Sequence, residues 1–126
     1  MSPLGAEPSI FSRIIARDIP ATIVAETDRV IAFEDIAPQA PVHLVITTKD
    51  PQYRNVVELA AGDPQLLADL VSVARSLADE RTNGQFRLVF NTGAASGQTV
   101  FHVHAHLLGV AESTADLLQE GSLGAL

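Results

Sequence analysis

Four histidines occur in the chain, and three of them stand at His102, His104 and His106. A β-strand repeats every two residues, so on a strand these imidazoles share one face and Phe101, Val103, Ala105 and Leu107 line the other. Their Cα atoms would lie about 6.5–7 Å apart along the strand. Such a row suits two chemistries. Neutral imidazole is a metal ligand, but here no cysteine exists, no carboxylate close in sequence completes a set, and His43 is the only other imidazole. Imidazole is also a nucleophile near neutral pH, because its unperturbed pKa is about 6.5, and it attacks phosphorus well when its other ring nitrogen is held in the right tautomer. A strand that carries histidine by accident is the plain alternative, and the strict spacing of three out of four weighs against it. Just upstream lie Asn91, Gly93, Gly97, Gln98 and Thr99. Glycines let backbone amides approach and cradle an anion, and Gln98 and Thr99 add side-chain donors. For the glycines alone an ordinary hairpin loop is the simpler reading; beside three histidines the anion cradle gains weight.

Regular structure must hold these groups in place. Ile10, Phe11, Ile14 and Ile15 have helical spacing, limited downstream by Pro20. Residues 22–26 and 30–33 read as strands joined by a turn at Thr27-Asp28-Arg29. Pro38 and Pro41 bracket a loop, and Val42–Thr48 is a strand rich in β-branched residues. Asp63 fits the N-cap and Pro64 the first position of a long helix. Its apolar stripe is Leu66, Leu67, Leu70, Val71, Ala74, Leu77 and Ala78, and Asn83-Gly84 ends it. Residues 86–91 and 98–108 read as two further strands, joined by a small-residue loop over 92–97. The expected class is α+β, an antiparallel sheet with its helices on one side. Residues 1–8 read as a loose tail, 9–110 as one domain, and 111–126 as a second tail with weak helical patterning over 114–119.

Composition narrows the function. A chain of 126 residues with 47 % hydrophobic and 18 % charged residues is a single folded domain. Eight basic against fifteen acidic residues give a net charge of −7, which argues against a nucleic-acid or anionic-membrane binder. It leaves room for one small phosphorylated ligand held by backbone amides and imidazoles. No apolar run is long enough to span a bilayer and no secretory signal is evident, so a cytoplasmic protein is expected.

The run His102-Val103-His104-Ala105-His106-Leu107-Leu108 resembles the defining motif of the histidine-triad superfamily, His-φ-His-φ-His-φ-φ. Ile10-Phe11, Ile14-Ile15, Ile19-Pro20-Ala21, Val30-Ile31-Ala32-Phe33, the stretch from Asp35 to His43, Asn91 and Gly97-Gln98-Thr99-Val100 are similar to its nucleotide-binding Hint branch. That resemblance implies a five-stranded antiparallel sheet with two helices, continuous across a homodimer. It implies a purine nucleotide ligand such as AMP or GMP, and hydrolysis of the P–N bond of nucleoside phosphoramidates, with aminoacyl-adenylates as related substrates. By the same resemblance His104 is the nucleophile that forms a nucleotidyl-histidine, oriented by His43, His102 and His106. His106 also contacts phosphate, Gln98 and Thr99 meet the phosphate or the leaving group, Asn91 lies near the leaving group, and Gly97 and Val100 belong to the same nucleotide-binding set. Asp35 takes the ribose hydroxyls, and Ile10, Phe11, Ile14, Phe33 and Ile36 form the base and sugar pocket. For Asp35 the competing reading is an Asx turn before Pro38, and for Phe11 and Phe33 it is core packing. The scheme needs neither metal nor cofactor.

The chain also departs from that pattern. Many Hint proteins follow the triad with Gly-Gly and a tail rich in tryptophan and proline; here Gly109 precedes Val110-Ala111-Glu112 and tryptophan is absent. Ser9 and Ser12 stand where some bacterial relatives carry Cys-x-x-Cys for a structural zinc, so that zinc is not expected. Glu34 stands where animal members often have histidine. Two rival readings are a dinucleoside polyphosphate hydrolase of the Fhit branch and a nucleotide-sensing or protein-binding dimer without useful turnover.

Overall fold

The computed structural model describes residues 8–110. Both expected tails, apart from Pro8, and the patterned segment 114–119 lie outside the described residues. The elements run α1 (Ile10–Ile15), β1 (Ile23–Glu26), β2 (Val30–Glu34), β3 (Val42–Thr48), α2 (Val56–Gly62), α3 (Pro64–Arg81), β4 (Arg87–Val89) and β5 (His104–Gly109), with a 3₁₀ turn at Ala94–Ser96 before β5. The five strands form one sheet in the order β1-β2-β3-β5-β4, and every neighbouring pair is antiparallel.

Local chemistry accounts for the boundaries. The Ser9 side chain accepts the Ser12 amide and starts α1, and Arg17, at a φ of 65°, turns the chain out after it. Thr27 closes the first hairpin by accepting the Val30 amide on its hydroxyl at 3.0 Å. Asp63 caps α3 through the Leu66 amide, and Pro64 follows at the first helical position. Helix α2 is an addition to the elements expected. Its signal was present, because Asn55 accepts the Glu58 amide while Glu58 reaches back to the Arg54 amide, much as in a capping box.

One face of the sheet carries the main core. Leu66, Leu70 and Leu77 of α3 and Leu59 of α2 pack with Ala32, Leu44, Ile46, Ala105 and Leu107. Val71, expected on the stripe, sits at its margin and is exposed. Helix α1 lies on the opposite face, where Phe11 and Ile14 pack with Phe33 and Val45, so the expectation of helices on one side holds only for α2 and α3. The last strand is shorter than its sequence pattern: the β3–β5 ladder begins at Thr47 and His104. Ahead of it the Val103 amide donates to the Tyr53 carbonyl and the Thr47 hydroxyl donates to the Val103 carbonyl, which draws this segment out of the ladder. Phe101, expected on the apolar face, is therefore half exposed in a loop. Among the described residues no helix is long and apolar enough to cross a membrane.

Gly109 closes β5 against the end of α3. A Cβ there would stand 2.5 Å from Cγ2 of Thr82 and 3.3 Å from the Gln85 carbonyl oxygen. Gly109→Ala is expected to destabilise the fold by about 1–3 kcal/mol in chemical denaturation, as overpacking does. Adding Thr82→Ser, which removes that methyl and keeps the hydroxyl bonded to the Ala78 carbonyl, should recover part of the loss.

Candidate active site

A cavity of about 500 Å³ opens between α1 and the sheet. Ile10, Phe11 and Ile14 form one wall, with Phe33, Ile36 and Val45 facing them. Asp35, His43, His104 and His106 supply polar groups, and Asn91, Gly97, Thr99 and Val100 close the far side. Register explains the grouping. Val45 pairs with Phe33 on one side and with His106 on the other, and Thr47 pairs with His104, so these side chains share a face. His43 stands diagonally across from His106 and reaches it, Nε2 to Nδ1, at 2.8 Å.

Backbone partners settle where the ring protons sit, because a carbonyl can only accept and an amide can only donate. Nδ1 of His104 lies 2.8 Å from the His102 carbonyl oxygen, so Nδ1 holds the proton and Nε2 keeps its lone pair. Nε2 of His102 lies 2.6 Å from the Thr48 carbonyl oxygen, so its Nδ1 is bare and accepts from the Ser9 hydroxyl at 2.6 Å. The Gln39 amide donates to Nδ1 of His43 at 2.9 Å, which leaves the proton of His43 on Nε2, where it donates to Nδ1 of His106. The proton of His106 is thereby on Nε2. One imidazole of the cavity thus offers a lone pair, and a second offers an N–H donor.

Burial keeps these rings neutral. It lowers the pKa of His43, against the opposing pull of the Asp35 carboxylate, and that of His104, against its bond to the His102 carbonyl. His102 is lowered by burial too, although its bond to the Thr48 carbonyl works the other way. His106 falls to about 4, through burial first and then the nearness of His104 and His43. Phe11 sets its ring edge-on to His104, with centroids 4.8 Å apart, and shields it from water.

Folding also brings a carboxylate to the imidazoles, which sequence spacing had not suggested. Oδ2 of Asp35 is 3.4 Å from Nε2 of His43 and 3.9 Å from Nδ1 of His106, close enough for the three to hold a metal ion. The donor set does not fit one as it stands: His43 carries its proton on the nitrogen that would ligate, and the Gln39 amide blocks the transfer of that proton to the other. The second oxygen of Asp35 accepts the Ala37 amide at 2.8 Å, so the Asx turn is present and the residue faces the cavity as well.

Two expected site residues do not line the cavity. Gln98 is buried, with its amide nitrogen bonded to the Arg54 and Val100 carbonyls and its oxygen to the Gly93 amide. Its side chain braces the loop and has no donor left for a phosphate. His102 is only 1 % exposed and does not line the cavity, although it lies on the side of His104 and His106: Phe11, the Ser9 hydroxyl and the Thr48 carbonyl enclose its ring, and it acts on the site through its own carbonyl. Sequence reasoning missed Ser9, the Gln39 amide and Val45. The hairpin register points to Val45 once Phe33 is known, and an N-cap signal points to Ser9, but nothing local marks Gln39.

The ring geometry makes the fold acid-sensitive. Unfolded histidine protonates near pH 6.5, whereas the folded rings resist it, so the unfolded chain binds more protons below that pH. Stability should be flat above about pH 7 and fall as the pH drops from about 6.5 toward the value of about 4 held by His106. Urea unfolding across that range checks it, and a flat profile would contradict neutral burial.

Comparison with known proteins agrees with this geometry. A family model described as "Scavenger mRNA decapping enzyme C-term binding" matches residues 8–119. The chain is 47 % identical over 106 residues to an uncharacterised HIT-like protein of Synechococcus elongatus, covering 82 % of this chain and 91 % of that one. It is 42 % identical to the purine nucleoside phosphoramidase of Escherichia coli, covering 82 % and 88 %. Among solved structures, a HIT family hydrolase from Clostridium thermocellum superposes with a TM-score of 0.78 at 41 % identity, covering 90 % of this chain and 99 % of that one. With a matched family model over most of its length and the second and third histidines of the triad lining this cavity, the chain belongs to the histidine-triad family of hydrolases.

Proposed function

We propose that the protein hydrolyses purine nucleoside 5′-phosphoramidates through a nucleotidyl-histidine at His104. The observation that carries this reading is the bond from Nδ1 of His104 to the His102 carbonyl, which leaves Nε2 as a bare, neutral nucleophile in the cavity. The name of the Escherichia coli relative supports the substrate class.

In the first step Nε2 of His104 bonds to the α-phosphorus and the P–N bond to the amine breaks. The ring becomes cationic, and the charge strengthens its Nδ1–H bond to the His102 carbonyl. The amine leaves with a proton, for which the Thr99 hydroxyl on the cavity wall is the candidate relay. His106 donates its remaining N–H to the phosphoryl oxygens, backed by the His43 N–H behind it. Water then attacks phosphorus and gives up a proton through the same relay, replacing the one taken by the amine; the P–N bond to His104 breaks, its ring returns to neutral, and the nucleoside monophosphate departs. No lysine or arginine is among the described residues that line the cavity; the Gly97 and Gln98 amides are taken by the Ala94 and Gly93 carbonyls, so the Thr99 and Val100 amides together with imidazole N–H groups would hold the anion.

Ile10, Phe11, Ile14, Phe33 and Ile36 would clasp the base and sugar, Asp35 would accept the ribose hydroxyls, and Asn91 would stand by the leaving group. Ile36 is 96 % exposed, which suits a residue that gains its cover from a ligand. The protein would act as a homodimer with its sheet continued across the interface.

His104→Ala should lower turnover of adenosine 5′-phosphoramidate by at least about 10³-fold, and mass spectrometry of quenched wild-type enzyme should show one AMP adduct that the variant lacks. The wild-type rate should stay level through neutrality and fall only below the ordinary histidine pKa, since burial lowers that of His104. Binding of AMP without turnover would instead favour a sensing role. Light scattering should give twice the mass of one chain, and a monomer would refute the shared sheet.

A further inference from the structure

We infer that Ser9 is a positioning residue for this chemistry: its one hydroxyl ties the helix that walls the base pocket to the histidine whose carbonyl fixes the nucleophile. Oγ of Ser9 lies 2.6 Å from Nδ1 of His102, a residue 93 positions away. The same oxygen accepts the Ser12 amide at 3.0 Å and so caps α1. Proton bookkeeping gives the direction. Nε2–H of His102 is committed to the Thr48 carbonyl, so Nδ1 can only accept, and the Ser9 hydroxyl must donate to it.

The consequences run to both halves of the site. Helix α1 has six residues, too few to persist in water by itself, so its cap and its packing must hold it. Phe11, two residues after Ser9, rests against both His102 and His104, with centroids 5.7 and 4.8 Å away. On the other side, His102 is clamped between Ser9 and the Thr48 carbonyl, and its own carbonyl takes the Nδ1 proton of His104. With His102 only 1 % exposed and its Nε2 committed to the Thr48 carbonyl, losing the Ser9 hydroxyl removes the donor that holds Nδ1. The ring would be free to turn or change tautomer, and the carbonyl that pins His104 would move with it.

The activity arm of the test rests on the function proposed above; the spectroscopic arm does not. Nitrogen-15 NMR of the imidazoles in the wild type should report a proton on Nε2 of His102 and on Nδ1 of His104. In Ser9→Ala, His104 should become a mixture of tautomers, and kcat/KM should fall about 10- to 100-fold, with kcat carrying much of the loss, the range seen when an orienting partner is removed. Ser9→Thr, which keeps the hydroxyl, should restore both. Ser9→Asp separates the two duties: it caps the helix well but has no proton to give, so it should keep the fold, place a proton on Nδ1 of His102 and leave turnover impaired. If Ser9→Asp matches the wild type in tautomers and kcat, Ser9 is a helix cap and the proposal is wrong. Unchanged His104 tautomers in Ser9→Ala would overturn it equally, even where the wild type turns over no phosphoramidate. Should Ser9→Ala fail to fold, the aspartate and threonine variants decide alone.

Discussion

A hydrogen bond from Nδ1 of His104 to the carbonyl of His102, two residues back, fixes which end of the ring can react. A carbonyl has no proton to give, so the ring must keep its own on that side. A second backbone group, the Gln39 amide, works in the opposite sense on His43 and hands a donor forward through His106. The two rings at the front of the cavity therefore carry complementary roles, one a lone pair and one an N–H. Main-chain groups suit this task because a carbonyl can only accept and an amide can only donate, whereas a hydroxyl can do either.

Much of the remaining architecture serves to keep those bonds dry. The apolar face of the sheet lies under α3, and the leucines of that helix anchor the strands whose opposite face holds the imidazoles. Helix α1 then covers part of that second face with Phe11 and Ile14. Dry surroundings disfavour the charged form of each ring, so four imidazoles remain neutral in a strongly acidic protein. They also strengthen the few donors left to meet an anion, where no cationic side chain helps among the described residues of the lining.

The strands and the long helix were legible because their signals are local. Alternation and β-branching marked Val42–Thr48, and Asp63-Pro64 with the leucine stripe marked Pro64–Arg81. The pairing of His104 with His106 on one face followed from the period of two, and most of the expected apolar wall lines the cavity. His102 follows the same alternation although the ladder begins only at His104: its ring meets Phe11 of α1, while Val103 packs in the main core on the other side. Gln98 was legible as a loop residue, but the direction of its amide was not, since the Arg54 carbonyl that captures it lies 44 residues away. The short helix Val56–Gly62 passed unnoticed because a single turn or two of apolar residues carries almost no periodic signal.

Sequence by itself determined the inventory: three histidines at a spacing of two, the glycine-bearing loop before them, the apolar residues around Ile10 and Phe33, and the acidic balance of the whole. Tertiary structure decided how those groups are protonated and which of them meet. Asp35 reaches His43 and His106 only through the β2–β3 turn, and Ser9 reaches His102 only once α1 is laid across the sheet. The physical reason is that a side-chain type is a property of one position, whereas a tautomer depends on the partner at each ring nitrogen, and here those partners come from distant parts of the chain as well as from the next turn of the backbone.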